Sequence, residues 1–210
     1  MGPRLVRGCR RPQPALLTVA PTREWLCGLA HEPLPPPPVT GGLDAVLLDR
    51  DGTLNVLGPG YRTLGDFELL PGAAESVARL NALGVPVVLV TNQRGISTGA
   101  LTWDALATVH AHLVEQLAAE GAHLDDIRLC PHASGECTCR KPSPGLIDAV
   151  VAENRWIGRK RTLFVGDAES DEMAAKAAGV HFLGVASDLG LIDVVDSVLA
   201  LWERPRSSTS

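Results

Sequence analysis

In the stretch DRDGTLN, Asp49 and Asp51 stand two residues apart. On an extended chain such side chains project from the same face, so the two carboxylates would lie side by side. Carboxylates that close repel each other unless a cation or a shared proton intervenes. Mg2+, a hard ion that takes few carboxylates and keeps waters, would hold Asp49 ionised and able to attack as a nucleophile. Asp51, protonated part of the time, would serve as acid and then as base. Taken alone, Asp51-Gly52 is equally a turn after a strand. A second stretch, LCPHASGECTCRKPSPG over residues 129–145, gathers Cys130, His132, Cys137 and Cys139 in the pattern C-x-H-x4-C-x-C. Three thiolates and one imidazole can close a tetrahedral shell around Zn2+, leaving no position for water, which makes such a site structural. The rival readings are a disulfide and a set of unconnected thiols beside a surface histidine.

These groups need a scaffold that brings them together. From residue 43, the short apolar runs AVLL, VPVVLV, IRLC, TLFV and VHFLGV alternate with stretches of helical spacing. That alternation predicts βαβ units and a parallel sheet covered on both faces, a Rossmann-like α/β fold. Gly84, Gly121 and Gly179 each follow a predicted helix, where a left-handed cap is expected. Ligands of an open parallel sheet bind beyond the carboxyl ends of its strands, so the residues after each run are the informative ones. They are Asp49-Arg50-Asp51, then Thr91-Asn92-Gln93, then Cys130-Pro131-His132, then Gly166-Asp167. Asp167 would complete the divalent-ion site begun by Asp49. Arg50 should point away from both neighbours and be structural. His110 and His112, on a predicted amphipathic helix, read as packed or surface residues.

Composition narrows the classes. The chain has 210 residues, 45% of them hydrophobic, enough for one domain of about residues 42–204 with a short flexible tail at 205–210. Residues 1–41 carry five arginines against two glutamates and run into PLPPPPVTGG. This reads as a poorly ordered Pro/Arg-rich extension, the alternative being a short helix around TREWLCGLA docked through Trp25 and Leu29. The remaining residues are acidic, which argues against nucleic acid as a partner. No apolar run approaches the roughly 20 residues needed to cross a bilayer, and no secretory signal is evident. A cytoplasmic, monomeric protein with no membrane partner is expected, and in that reducing compartment clustered cysteines favour metal over disulfides.

DRDGTLN, VTNQRGI, CRKPSPG and VGDAESD, in this order, resemble the motifs of the haloacid dehalogenase superfamily, over roughly residues 43–188. The resemblance implies a phosphohydrolase without a large cap domain. Asp49 would form an aspartyl-phosphate and Asp51 would protonate the leaving group and then activate water. Thr91, Asn92 and Lys141 would hold the phosphoryl group, and Mg2+ would sit on Asp49, the backbone carbonyl of Asp51 and Asp167, with Asp171 close by. The cysteine-rich loop before CRKP further resembles the subgroup acting on heptose bisphosphates or histidinol phosphate, in which Arg140 would contact the substrate. The implied substrate is a small sugar phosphate, foremost the 7-phosphate of D-glycero-D-manno-heptose 1,7-bisphosphate. Tyr61 and Arg62, in the flap between the first two motifs, are further candidates for substrate contact. Ala168, where a Lys is usual, and Arg94, where a small residue is common, depart from the pattern. A non-catalytic zinc-stabilised module is the alternative from another class.

Overall fold

The computed structural model describes residues 21–36, 41–57 and 67–203. Tyr61, Arg62, residues 1–20 and the tail at 205–210 lie outside the described residues. The five apolar runs form one parallel sheet: β1 (Ala45–Leu48), β2 (Val87–Asn92), β3 (Asp126–Cys130), β4 (Thr162–Gly166) and β5 (His181–Gly184). The strand order is β3-β2-β1-β4-β5. The helices are α1 (Arg23–Leu26), α2 (Ala73–Ala82), α3 (Trp103–Ala119), α4 (Gly145–Glu153), α5 (Glu169–Ala178) and α6 (Val195–Trp202). This is the Rossmann-like α/β fold expected from the alternation, and Gly84, Gly121 and Gly179 all take the left-handed conformation.

The period of two in the strands explains why their sequences are continuously apolar. Val46 and Leu48 of β1 join a core with Val77 and Leu80 of α2, Leu113 and Leu117 of α3, and Val198 of α6. Ala45 and Leu47 enter the opposite core, with Ile147 and Val150 of α4 and Ala174 and Ala175 of α5. The chain leaves β1 toward β2 and β3, then returns to its other side as β4. Strand order therefore reverses at β1, and the carboxyl ends of β1 and β4 flank the crevice where such sheets bind ligands.

Residues 21–36 lie against the outer strand β3 and helix α3. Thr22 caps α1, its Oγ1 accepting from the Trp25 N–H at 3.2 Å. Leu26 and Cys27 are buried with Ala107 of α3. Gly28, at φ +61°, passes so close to β3 that a Cβ there would sit 2.9 Å from the Ile127 carbonyl oxygen. The Leu34 N–H donates to Asn154 Oδ1 at 2.8 Å, and the Trp156 Nε1–H donates to the Leu34 carbonyl at 3.2 Å. Of the two residues expected to dock, Trp25 packs partly buried while Leu29 is exposed. Leu26, Cys27 and Leu34 make the buried contacts instead. No helix among the described residues is long and apolar enough to cross a membrane.

His110 of α3 is fully buried and its Nδ1 lies 2.5 Å from the Leu26 carbonyl. A carbonyl can only accept, so Nδ1 carries the hydrogen. Burial, followed by the charge of Arg50, pushes the His110 pKa down to about 3. The unfolded chain protonates this residue near 6.5, so between those values the unfolded state holds the extra proton. The His110 contribution to stability is therefore complete above about pH 6.5 and is lost as pH falls toward 3, at on the order of 1 kcal/mol per pH unit. Denaturant titrations across that range should show this slope, and His110→Gln should flatten it.

Candidate active site

Asp49 leaves β1 with its N–H donating to the Val165 carbonyl of β4 at 2.9 Å. Its Oδ1 accepts from Lys141 Nζ at 2.6 Å. The same ammonium donates to the Val90 carbonyl at 3.0 Å and lies 2.7 Å from Asp171 Oδ1. Asp171, in the first turn of α5, is fixed by its own helix start, its Oδ2 accepting from the Ala168 N–H at 3.1 Å. Carboxylate oxygens of Asp49, Asp167 and Asp171 all fall within 4.8 Å of one another. Two glycines make the room. A Cβ at Gly52 would land on the Asp167 carboxylate, and one at Gly166 on that of Asp171.

The three carboxylates crowd a buried space. Burial pushes Asp49 up to about 7, Lys141 pulls the other way, and Asp171 and Asp51 add to the rise. Burial and then Asp171 also raise Asp167. Burial works against the Lys141 charge, but Asp49 and Asp171 hold its pKa above the ordinary value. With Asp51 and Arg50 included, four carboxylates meet two cations among the described residues, a deficit of two charges that one divalent ion would close. The donor set, all carboxylate oxygen, suits a hard cation.

Asp51 has different company. Its carboxylate accepts from Arg50 Nη2 at 3.0 Å, Asn55 Nδ2 at 3.1 Å and Gln93 Nε2 at 3.2 Å. Burial would raise its pKa, but the Arg50 charge and these donors bring it below the usual carboxylate value. Arg50 thus does not point away from its neighbours. β1 ends at Leu48, so the extended geometry behind that expectation stops one residue before Asp49. The chain then turns, and the guanidinium folds back onto Asp51.

The neighbouring strand end organises Lys141. The Asn92 side chain donates to the Lys141 carbonyl and accepts from the Lys141 N–H, both at 3.1 Å. Its amide therefore grips the lysine backbone. Thr91 is buried, its Oγ1 accepting from Gln93 Nε2 at 3.0 Å. Arg140 lies beside Lys141 at the rim, partly exposed, its Nη1 reaching the His132 carbonyl at 3.5 Å. Arg94 is exposed after β2, and Ala168 contributes only backbone groups, its N–H donating to Asp171 Oδ2 and its carbonyl accepting from the Asp171 N–H. Asn55, Gln93 and Asp171 surround the chemistry more closely than their positions suggest. Gln93 directly follows β2, where the strand ends point to functional residues, whereas Asn55 lies beyond the turn that follows β1 and carried no such signal.

Cys130, His132, Cys137 and Cys139 converge as their spacing suggests, with ligand atoms within 4.8 Å of one another. The sulfur–sulfur distances are 3.2 Å for Cys137–Cys139, 3.3 Å for Cys130–Cys139 and 3.5 Å for Cys130–Cys137. His132 Nδ1 lies 3.5 Å from Cys130 Sγ and 3.4 Å from Cys139 Sγ. None of these cysteines is in a disulfide. Burial pushes the Cys130 thiol up to about 12, so as a bare thiol it would stay protonated. Burial also opposes ionisation of Cys137, but S–H and N–H donors from Cys139 and Arg140 bring its thiol down to about 7. Three sulfurs and one ring nitrogen fit a soft tetrahedral ion such as Zn2+, whose Zn–S bonds of about 2.3 Å place ligand sulfurs slightly farther apart than these.

Residues 60–179 match the family of haloacid dehalogenase-like hydrolases. The chain belongs to that family. It is 39% identical over 174 residues to D-glycero-alpha-D-manno-heptose-1,7-bisphosphate 7-phosphatase of Mycobacterium tuberculosis, covering 75% of this chain and 87% of that one. It is also 39% identical over 138 residues to the corresponding beta-heptose phosphatase of Pseudomonas putida, covering 65% and 78%. Among solved structures it resembles D,D-heptose 1,7-bisphosphate phosphatase from B. bronchiseptica complexed with magnesium and phosphate. There the TM-score is 0.66 at 26% identity, covering 74% of this chain and 98% of that one. The chain is accordingly an enzyme, a phosphatase of this family, and the reading as a non-catalytic module is set aside.

Two outcomes follow for the metals. Elemental analysis of purified protein should find about one zinc per chain, and Cys139→Ser should lose it with a fall in melting temperature. Lys141→Met should leave Asp49 and Asp171 without their buried cation and cost about 3–5 kcal/mol in chemical denaturation. Millimolar Mg2+ should recover part of that loss, because it binds the folded state alone.

Proposed function

We propose that this enzyme is a Mg2+-dependent phosphomonoesterase working through an aspartyl-phosphate on Asp49, with the 7-phosphate of D-glycero-D-manno-heptose 1,7-bisphosphate as its substrate. The observation that carries the chemistry is the convergence of Asp49, Asp167 and Asp171 around Lys141 at the sheet's crossover point. Support for the substrate comes from the relatives named as heptose bisphosphate 7-phosphatases, matched over most of their length.

When bound by Asp49, Asp167 and the backbone carbonyl of Asp51, Mg2+ supplies the positive charge that keeps Asp49 ionised and neutralises phosphoryl oxygens. An Asp49 carboxylate oxygen bonds to phosphorus as the bond from phosphorus to the sugar oxygen breaks. Asp51 gives that oxygen a proton. Arg50 holds Asp51 ionised in the free site, so the proton must arrive with the substrate, whose phosphate has its second pKa near 6. Negative phosphoryl oxygens beside Asp51 then favour its protonated form. In the second half, Asp51 takes a proton from water as the water oxygen attacks phosphorus and the bond to Asp49 breaks. Lys141 and the Thr91 hydroxyl face the same oxygens and stabilise the charge they carry. Asn92 serves by holding Lys141.

The Zn2+ loop acts at one remove from this chemistry, by fixing the chain from which Arg140 and Lys141 project. All the named groups come from one chain, so a monomer suffices. The four described cysteines are free, which suits a reducing compartment such as the cytoplasm.

Asp49→Asn should abolish phosphate release, by several orders of magnitude, while the protein remains folded; retained turnover would rule out the covalent route. A phosphate-release panel should favour heptose 1,7-bisphosphate, tested as both anomers, over hexose 1,6-bisphosphate and histidinol phosphate. Preference for histidinol phosphate would overturn the substrate assignment while leaving the chemistry intact.

A further inference from the structure

A buried line of hydrogen bonds joins the N-terminal segment to the active site. His110 Nδ1 donates to the Leu26 carbonyl at 2.5 Å, at the end of α1. The other ring nitrogen, Nε2, lies 3.0 Å from Arg50 Nη1. A guanidinium can only donate, so Nε2 must present its lone pair. The two partners together specify one tautomer, with the hydrogen on Nδ1. Arg50 then donates through Nη2 to both oxygens of Asp51 at 3.0 Å and through Nε to one of them at 3.2 Å. Leu26, His110 and Arg50 are all buried.

We propose that His110 and Arg50 are positioning residues for Asp51, and that residues 21–36 belong to the catalytic apparatus because the Leu26 carbonyl sets the His110 tautomer. With that carbonyl absent, Nδ1 would lose the acceptor that keeps the hydrogen off Nε2. The opposite tautomer would place an N–H against the Arg50 N–H, donor facing donor in a buried space, where an unmade hydrogen bond is costly. Arg50 would have to turn, and its fork onto Asp51 would turn with it. The arm is strapped down well enough to hold the carbonyl in place. Arg23 pairs with Asp104 of α3 at 2.7 Å, His31 Nδ1 lies 3.0 Å from Asp126 of β3, and Leu34 bonds to Asn154 and Trp156. A segment that served only to cover apolar surface would need Leu26, Cys27 and Leu34. It would not need a carbonyl aimed at a ring that faces the active-site arginine.

The inference rests on Asp51 carrying the proton, as proposed above, and a double-mutant cycle separates the two claims. Phosphate release is measured for wild type, His110→Ala, Asp51→Asn and the double variant at saturating Mg2+. The substrates are heptose 1,7-bisphosphate and, independently of the sugar assignment, p-nitrophenyl phosphate. His110→Ala should lower kcat about 10- to 100-fold, the scale expected when a reacting group is misplaced by about 1 Å. KM should stay nearly constant, and His110→Gln, which can still accept from Arg50, should recover part of the loss. In the Asp51→Asn background His110→Ala should cost nothing more. Multiplied losses, an unchanged kcat in His110→Ala or an effect confined to KM would overturn the proposal. Full turnover in Asp51→Asn would overturn it together with the proton-transfer role of Asp51. Should His110→Ala fail to fold, Arg50→Lys runs the same cycle, because it keeps the charge and loses the planar fork.

Discussion

One buried ammonium organises this molecule. Lys141 is almost fully buried, with Asp49 at 2.6 Å, Asp171 at 2.7 Å and the Val90 carbonyl at 3.0 Å. Taking three charges out of water costs several kcal/mol each, and the cost is offset only where geometry and further hydrogen bonds are good. Several features of the fold meet that demand. β1 and β4 lie side by side, which brings Asp49 next to the turn into α5. Asp171 caps the start of that helix, so its carboxylate is already oriented. Asn92 grips the Lys141 backbone from the end of β2. The Phe164 ring, 5.2 Å from the ammonium, adds a favourable aromatic face. The arrangement still carries more negative than positive charge. That imbalance sets it apart from a balanced structural salt bridge and leaves room for a divalent cation.

The same crowding separates the two aspartates of DRDG. Asp49 is buried among like charges and rises to about 7, whereas Asp51 is surrounded by donors and falls below its ordinary value. Two identical side chains, two residues apart, are thereby given opposite proton affinities by their neighbours, the kind of separation that the proposed nucleophile and acid–base roles require. The cysteine–histidine cluster takes no part in that division. It anchors the loop between β3 and α4, so that Lys141 enters the crevice from a tethered chain.

Much of this was open to reading from the sequence. Continuous apolar runs of four or five residues, alternating with helical spacing, specify a parallel sheet covered on both faces, because each strand must bury both sets of its side chains. The residues after those runs then identify one edge, and Asp49, Thr91, Cys130 and Asp167 all stand there. The spacing of Cys130, His132, Cys137 and Cys139 needed little more, since metal-type ligands so close in sequence can meet without help from distant elements.

What could not be read is who faces whom once the chain turns. Arg50 looked outward only on the assumption that β1 continued, and whether a strand stops at Leu48 depends on its neighbours. His110 carried no signal, because a histidine on an amphipathic helix has no partner until α1 is laid across it. For residues 21–36 a docked short helix is one of two readings of the sequence, through Trp25 and Leu29, but the side chains that bury are Leu26, Cys27 and Leu34. The sequence by itself determined the sheet, its reactive edge and the metal-type loop, since these follow from local periodicity and short spacings. Only the tertiary structure decided the partners of Asp49 and Asp51, because hydrogen bonds and charges act over a few ångströms between residues up to 122 positions apart, as with Leu34 and Trp156.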